Sequence, residues 1–318
     1  MGQFLTNTAP EIIYTLCGLV SIYTALTAIT KDKKAIGTAI FWSLLGITFI
    51  FGKVIPYEVT GVILVVMGLL TATKQVKLVA IPEIAPEVKV KANEKIKSAI
   101  FIPAVLIGLL SFAFSFVRYT VEVEGEATSR GLDGAVMVGL ACLISLLVAV
   151  VICKPKFQET GEQTSKLLMQ VGAVSLLPQL LGALGTLFTE AGVGDVISSM
   201  IAVIVPEGNI FIGVLVYCAG MVIFTMIMGN AFAAFSVITV GIGFPFVMMQ
   251  GGDPAIVGAL GMTSGFCGTL LTPMGANFNI VPAAVLETKN KWQIIKTQAP
   301  FAAILIVVHV ALMLLLAF

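Results

Sequence analysis

A short polar stretch in the last fifth of the chain carries most of the side chains that could bind a small molecule. Residues 262–282 read MTSGFCGTLLTPMGANFNIVP, in which four hydroxyl side chains and two asparagines interrupt an apolar background. Asparagine amides supply both hydrogen-bond donors and acceptors. Pro273 lacks a backbone N–H and Gly275 tolerates unusual backbone angles, so together they predict an unwound turn.

Polar side chains at this density are costly inside a membrane unless they meet a ligand or water. The stretch therefore predicts a binding site. The alternative is that these groups are polar contacts between packed helices, each worth about 0.6 kcal/mol. That alternative explains one or two such residues better than it explains six.

A second polar interruption is Gly229-Asn230, in the middle of the apolar stretch 210–249. An asparagine amide in lipid needs partners. The glycine beside it marks either a break in one helix or a turn between two helices, and Ser236 follows on the next limb. The two interruptions together supply the candidate substrate-binding residues, which are Gly229, Asn230, Ser236, Thr269, Thr272, Pro273, Gly275, Asn277 and Asn279.

A third interrupted unit covers residues 167–206. Pro178 interrupts its first limb, and its tip, residues 188–195, reads FTEAGVGD. The second limb, 196–205, has about ten residues and is too short to cross a bilayer at ~1.5 Å per residue. We therefore predict a re-entrant hairpin with Asp195 and Ser198 near its tip; the alternative is a tight turn capped by Asp195.

These units restrict how an ion could be bound. From 167 to 288 the sequence contains no Lys, Arg or His, so a small anion would have to meet amides, hydroxyls and helix N-termini. Na⁺ could be coordinated by carbonyls and hydroxyls, whereas proton coupling would need a carboxyl, and the sequence does not choose between them. The coupling-ion candidates are Asp195, Ser198, Thr263 and Ser264, and the carboxyls available for a proton are Glu190, Asp195, Glu207, Asp253 and Glu287.

Catalytic motifs are weak in this sequence, and we expect no enzyme. Residues 192–195, GVGD, match the G-x-G-D string of presenilin-like aspartyl proteases, but such a dyad needs a second intramembrane aspartate. The remaining aspartates (Asp32, Asp133 and Asp253) lie outside the predicted spans. His309 is the single histidine, and we expect it to pack between helices. The five cysteines are scattered, so no disulfide framework or metal site is predicted.

Composition then defines the protein class. Of 318 residues, 58% are hydrophobic and 11% are charged, whereas soluble domains carry about a quarter charged residues. Mean hydropathy is +1.06. These values exclude a soluble enzyme and a nucleic-acid-binding protein. They predict an all-α polytopic membrane protein with about 9–11 membrane segments of the usual ~20-residue length or shorter, including the hairpin and the broken helices.

The chain divides into two parts. Residues 1–166 form a conventional front part whose five spans are Ile12–Thr30, Ala35–Phe51, Val59–Ala72, Ala99–Val117 and Ala135–Cys153; residues 167–318 form the interrupted transport core. Lysines concentrate in the first, third and fifth connecting loops and again at 289–296. The positive-inside rule makes these segments cytoplasmic, so the N-terminus is expected outside.

Three runs of this sequence resemble one bacterial family. They are GALGTLF at 182–188, leading to Asp195, MGNAFAAF at 228–235 and TLLTPMGANFN at 269–279. The family is the larger of two bacterial membrane subunits identified as a 5-oxoproline (pyroglutamate) transporter, formerly a domain of unknown function, and the resemblance spans the whole chain. More loosely, the plan is similar to the ion transporter superfamily of dicarboxylate, citrate and gluconate carriers.

The resemblance implies a subunit of a secondary active transporter in the bacterial cytoplasmic membrane, importing a small carboxylate, 5-oxoproline. Superfamily carriers have two inverted repeats, each with a hairpin and a broken helix. This chain shows one such set, which agrees with a smaller second membrane subunit supplying the other. The alternatives are a carrier for another small organic anion and a non-transporting accessory subunit. No cofactor is expected other than Na⁺, and no nucleic-acid partner.

Overall fold

The computed structural model describes residues 4–82, 84–123, 126–202, 208–290 and 292–318. The chain forms two compact units, Met1–Gly172 and Ala173–Phe318. The division therefore falls between Gly172 and Ala173, close to the change of character that the sequence shows after residue 166.

Among the residues described, the first unit contains apolar helices together with two polar ones, Pro86–Ile96 and Phe157–Val171. Its helices are α1 (Ala9–Lys31, preceded by a π-helical turn at Phe4–Thr8), α2 (Ile36–Phe51), α3 (Tyr57–Ala72), α4 (Pro86–Ile96), α5 (Ile102–Ser115), α6 (Gly134–Cys153) and α7 (Phe157–Val171). A 3₁₀ turn, Lys97–Phe101, leads from α4 into α5. Between α5 and α6 lies an antiparallel hairpin of β1 (Arg118–Val123) and β2 (Glu126–Gly131), which contains all the strand residues among those described.

Two contacts show how this unit holds together. On α1 and α2, Gly18 and Gly46 lie so close that a Cβ on either would overlap the other's carbonyl oxygen or an isoleucine side chain. At the end of α1, Lys31 Nζ lies 2.8 Å from Glu162 Oε1 on α7. This hydrogen bond lowers the pKa of the Glu162 carboxyl.

The second unit contains shorter and more interrupted helices. They are α8 (Leu177–Glu190), α9 (Val193–Ala202), α10 (Ile210–Met228), α11 (Ala231–Ile238), α12 (Pro254–Leu270), α13 (Val281–Val285) and α14 (Gln293–Leu316). A π-helical segment, Thr239–Met248, continues α11, and a π-helical turn, Ala276–Ile280, precedes α13.

Cross-helix contacts give the directions of these helices. Tyr217 Oη lies 2.9 Å from Thr239 Oγ1, and Gly213 lies against the Phe246 carbonyl, so α10 runs antiparallel to α11 and its π-helical continuation. Ser264 Oγ donates to the Cys218 carbonyl and Thr272 Oγ1 donates to the Met226 carbonyl, which makes α12 parallel to α10.

The last helix, α14, runs antiparallel to α12, because His309 contacts Thr263 while the Asp253 amide donates to the Ala317 carbonyl. The core between these helices is fully buried and apolar. Its members include Tyr217, Met221, Ile242, Val257 and Met313.

Length and apolarity identify this chain as an all-α polytopic membrane protein. Six helical stretches are long and apolar enough to cross a bilayer: Phe4–Lys31, Glu87–Ser115, Gly134–Cys153, Ile210–Met228, Ala231–Met248 and Gln293–Leu316. Three shorter apolar helices, α2, α3 and α12, accompany them. The five spans predicted for the front part coincide with α1, α2, α3, α5 with its preceding turn, and α6.

Candidate functional site

The first predicted interruption is a turn between two helices. Gly229 ends α10 in the left-handed region, with φ +71°, and its amide donates to the Thr225 carbonyl. Asn230 is extended, and its Oδ1 accepts a 2.9 Å hydrogen bond from the Phe232 amide at the start of α11. The sequence left open a break in one helix or a turn between two helices. The structure has the turn, because α10 and α11 are antiparallel.

The second predicted interruption follows α12. Helical structure stops at Leu270 and resumes only with the π-helical turn at Ala276, so Leu271–Gly275 is unwound as Pro273 and Gly275 predict. A side chain at Gly275 would overlap the Thr269 carbonyl oxygen. Glycine is therefore required where the chain folds back over the end of α12.

These two interruptions touch each other. A Cβ at Gly229 would overlap the carbonyl oxygen of Met274. Thr272 Oγ1 donates a 2.8 Å hydrogen bond to the Met226 carbonyl in the last turn of α10 and accepts from the Met274 amide. We name Gly229, Thr269, Thr272, Met274 and Asn279 the two-break cluster.

Asn279 connects the unwound segment to the last turn of α12. Its Nδ2 donates to the carbonyls of Thr269 and Thr272, both at 2.8 Å, and the residue is 2% exposed. Its Oδ1 has no hydrogen-bond partner among the described residues. A buried carbonyl oxygen left without a donor costs about 1–3 kcal/mol, so this atom is the polar group of the cluster whose partner has to be explained.

A cavity of ≈ 460 Å³ opens beside the cluster. Its volume is in the range of ~300–1,000 Å³ typical of small-molecule sites. Two of its lining residues are polar, and none carries a charge. The lining residues are Pro273, Asn279, Ile280, Ala283, Ala284, Thr288 and Ile295.

Thr288 is the second polar residue of that cavity. Its hydroxyl makes a long 3.4 Å bond to the Ala283 carbonyl, so little would be lost if it turned to a ligand. Lys289 follows it in the chain, and the short helix α13 and the start of α14 contribute the lining residues Ala283, Ala284 and Ile295.

Outside this cluster lie Ser236, Asp195 and Ser198, whereas Asn230 directly follows the cluster residue Gly229. Ser236, on α11, donates to the carbonyl of Ala233. Asp195 and Ser198 are on α9, which packs along the π-helical segment; Gly194 lies against the Val237 carbonyl. Asp195 is exposed. Asn230 is in the turn itself, where its oxygen caps α11.

Two neighbouring coupling-ion candidates point in different directions. Thr263 contacts His309 Nε2 at 2.9 Å on α14, whereas Ser264 donates to the Cys218 carbonyl on α10. They therefore act as separate contacts between helices. The side chain of Asn277 and the whole of Glu207 lie outside the described residues.

The interrupted unit before α10 consists of two short helices joined at Ala191-Gly192, where Gly192 has φ +69°. α8 and α9 have 14 and 10 residues, so at ~1.5 Å per residue neither crosses a ~30 Å core alone. α8 packs along α11, and α9 packs along the π-helical continuation of α11. Phe188 on α8 also lies 6.2 Å from Phe224 on α10, measured between ring centroids.

Sequence reasoning missed Thr225. Its hydroxyl is fully buried, lies next to Gly265 on α12 and has no hydrogen-bond partner among the described residues. Its position is one turn before Gly229. A lone threonine in an apolar helix gives no sequence signal, because its hydroxyl usually bonds within the helix.

Comparison with known proteins places the chain in a family. A family model described as "Protein of unknown function (DUF979)" matches residues 11–318. The chain belongs to this family. No curated protein and no solved structure matches it.

Proposed function

We propose that this DUF979 protein is a subunit of a secondary active transporter that imports a small carboxylate, with 5-oxoproline as the first substrate to test. It would act in the bacterial cytoplasmic membrane with its N-terminus outside, together with a smaller second membrane subunit. A Na⁺ or a proton gradient would drive it. No catalytic activity is proposed.

The observation that supports this proposal is the contact between two helix interruptions in an apolar bundle. Irregular backbone is tolerated at membrane depth only where protein buries it or where it lines a cavity. Within Leu271–Gly275, Thr272 and Gly275 are buried and Pro273 lines the cavity. Stability alone would favour continuous helices. Discontinuous helices around a small cavity are typical of transporters.

The cavity beside Asn279 is the proposed substrate position. Its apolar wall, formed by Ile280, Ala283 and Ile295, suits the ring methylenes of a lactam. The Thr288 hydroxyl would donate to a substrate oxygen. A neutral lining of this kind favours a small, singly charged ligand over a di- or tricarboxylate.

Uptake of labelled 5-oxoproline into proteoliposomes that contain both subunits tests the function. We expect accumulation above protein-free vesicles under an inward Na⁺ gradient or an inward proton gradient, imposed separately. No accumulation under either gradient would overturn the substrate assignment. Competition by other small carboxylates would then show whether a different organic anion is carried.

A cavity-filling variant tests whether the substrate binds in this cavity. Ala284→Leu adds three carbons to the cavity wall at a residue outside the two-break cluster, so uptake should fall about tenfold or more, the equivalent of ~1.4 kcal/mol of binding. The control is Ala104→Leu on the exposed surface of α5. Unchanged uptake in Ala284→Leu would favour an accessory subunit whose partner holds the substrate site.

A further inference from the structure

The orphaned oxygen of Asn279 has a fixed orientation. Because both Nδ2 hydrogens go to the carbonyls of Thr269 and Thr272, the amide cannot rotate to exchange its nitrogen and oxygen without losing two bonds. Oδ1 is therefore held as an acceptor inside the protein. A group that satisfies it must be a donor or a positive charge.

The two-break cluster to which this oxygen belongs contains further acceptors. The carbonyls of Thr269 and Thr272 lie at the same amide, while the Thr272 hydroxyl gives its hydrogen to the Met226 carbonyl. The Met274 carbonyl faces Gly229. Among the described residues of the cluster, the side-chain donors already make hydrogen bonds. The groups that could still bind a ligand are therefore oxygen acceptors.

Helix ends add to this negative potential. α10 and α12 are parallel, and both end at the cluster, at Met228 and Leu270. Each C-terminus carries about half a negative charge from the aligned peptide dipoles. α11 begins here too, but the Asn230 side chain caps its first turn. Inside the cluster a cation is therefore favoured over an anion.

From this geometry we infer that the two-break cluster binds a monovalent cation of the size of Na⁺, with Asn279 Oδ1 as a ligand. Neutral oxygens without a carboxylate suit a single charge better than Ca²⁺ or Mg²⁺, which are usually held by carboxylates. Unwound carbonyls at helix C-terminal ends are groups that coordinate Na⁺ in transporters. The role of this ion as the coupling ion rests on the proposed transport function, whereas its binding does not.

Cation binding is measured on the purified full-length chain without substrate. Thermal unfolding is followed in NaCl, KCl and choline chloride at equal ionic strength. A ligand present at about 100 times its Kd stabilises by ~2.7 kcal/mol, so Na⁺ should raise the unfolding midpoint by about 5 °C or more relative to choline. Binding of ²²Na⁺ to the same preparation gives the affinity directly.

Three variants show whether Asn279 binds Na⁺ or only stabilises the fold. Asn279→Ala removes the oxygen and should weaken Na⁺ at least about tenfold, the loss of ~1.4 kcal/mol. Asn279→Asp keeps an oxygen while removing the amide donors, so the Na⁺ response should persist or grow. Asn209→Ala is the matched control, because Asn209 Oδ1 caps the opposite end of α10 by accepting from Ile212; its response to Na⁺ should match the wild type.

The outcomes also separate this inference from the transport proposal. If Na⁺ and choline give equal midpoints and no ²²Na⁺ binds, or if Asn279→Ala binds Na⁺ as the wild type does, the cation site is overturned even when uptake is observed. Should Asn279→Ala not fold, loss of the Na⁺ response in Asn279→Asp would be the contradicting result. Na⁺ binding without any carboxylate uptake would leave the site standing and overturn the transport proposal.

Discussion

At Gly229 two constraints act on one residue. Its φ of +71° is a backbone conformation that side-chain-bearing residues seldom adopt, and the space for a Cβ is taken by the Met274 carbonyl. Gly229→Ala should therefore lower the free energy of unfolding by several times the ~1 kcal/mol of left-handed strain alone, because the two interruptions must move apart.

Thermal unfolding in detergent measures this loss. The control is Gly68→Ala in α3, where no atom lies within 4 Å of the added Cβ, and which should be neutral or slightly stabilising. A Gly229→Ala protein as stable as the Gly68→Ala protein would show that the two breaks do not touch.

His309 contributes through a contact between helices. Its Nδ1 lies 2.7 Å from the Leu305 carbonyl, which can only accept, so Nδ1 is the donor there, and its Nε2 lies 2.9 Å from Thr263 Oγ1. His309→Ala and Thr263→Ala should each destabilise the protein. A double-mutant cycle should give a coupling of about 0.6–1.7 kcal/mol, and strictly additive losses would contradict the contact.

Sequence alone identified several residues of the cluster but not their roles. The sequence shows directly that Thr272 and Asn279 are polar. It also shows the glycines and the proline, at 229, 275 and 273, whose backbone properties predict the interruptions. Which atom of Asn279 stays unpaired depends on two carbonyls whose positions only the fold provides. The separation of Thr263 from Ser264 follows from helix geometry, since adjacent residues point to different faces.

Among the elements, α8 and α9 decide the topology of the second unit. α8 lies along α11, and α9 lies along the π-helical continuation of α11. Since α11 and that continuation follow one another in a single crossing, we expect α8 and α9 together to cross once as a broken helix. The predicted re-entrant hairpin would instead return residue 209 to the side from which α8 entered.

The directions of the later helices also favour one crossing by α8 and α9. α10, the α11 stretch and α12 are three helices of alternating direction between α9 and the lysines at 289–296. If those lysines are cytoplasmic, as the positive-inside rule predicts, residue 209 must be outside. The hairpin and the cytoplasmic lysines, both predicted from sequence, are therefore incompatible once the helix directions are known.

Cysteine labelling in intact cells tests this topology. In a cysteine-free background, Asn209→Cys should react with an impermeant maleimide as Val54→Cys does in the loop before α3, whereas Lys289→Cys and Lys156→Cys should be protected. Labelling of Lys289→Cys with protection of Asn209→Cys would establish the hairpin instead.

Element boundaries in the front part could be predicted because long apolar runs separated by charged loops leave little choice. The helices of the second unit could not be oriented in this way. Gly229-Asn230 is compatible with a break or a turn, and only contacts such as Tyr217 to Thr239 show that the chain reverses there.

On the scale of the whole molecule, composition determined the class of protein, and the fold brought the candidate site together. A chain with 11% charged residues had to place its helices in lipid, and the all-α polytopic architecture follows. What composition could not give is that α10 and α12 end side by side. That arrangement turns two separate polar interruptions into one cluster beside a cavity.

The dependence on a second subunit is a prediction at this scale. Because the chain provides one set of broken helices, we expect the chain alone to bind Na⁺ but to show no uptake, and both subunits together to transport. Reconstitution of each subunit separately and of the pair measures this. Full uptake by this chain alone would show that its own helices complete the pathway.

Substrate protection in the cavity tests the central claim most directly. Thr288→Cys, in a cysteine-free protein reconstituted with the second subunit, would be labelled with a small maleimide in the presence and absence of saturating 5-oxoproline. We predict that the substrate slows labelling of Cys at this position severalfold while leaving Val54→Cys unaffected. An unchanged labelling rate at residue 288, in a preparation that transports 5-oxoproline, would place the substrate elsewhere and contradict the account.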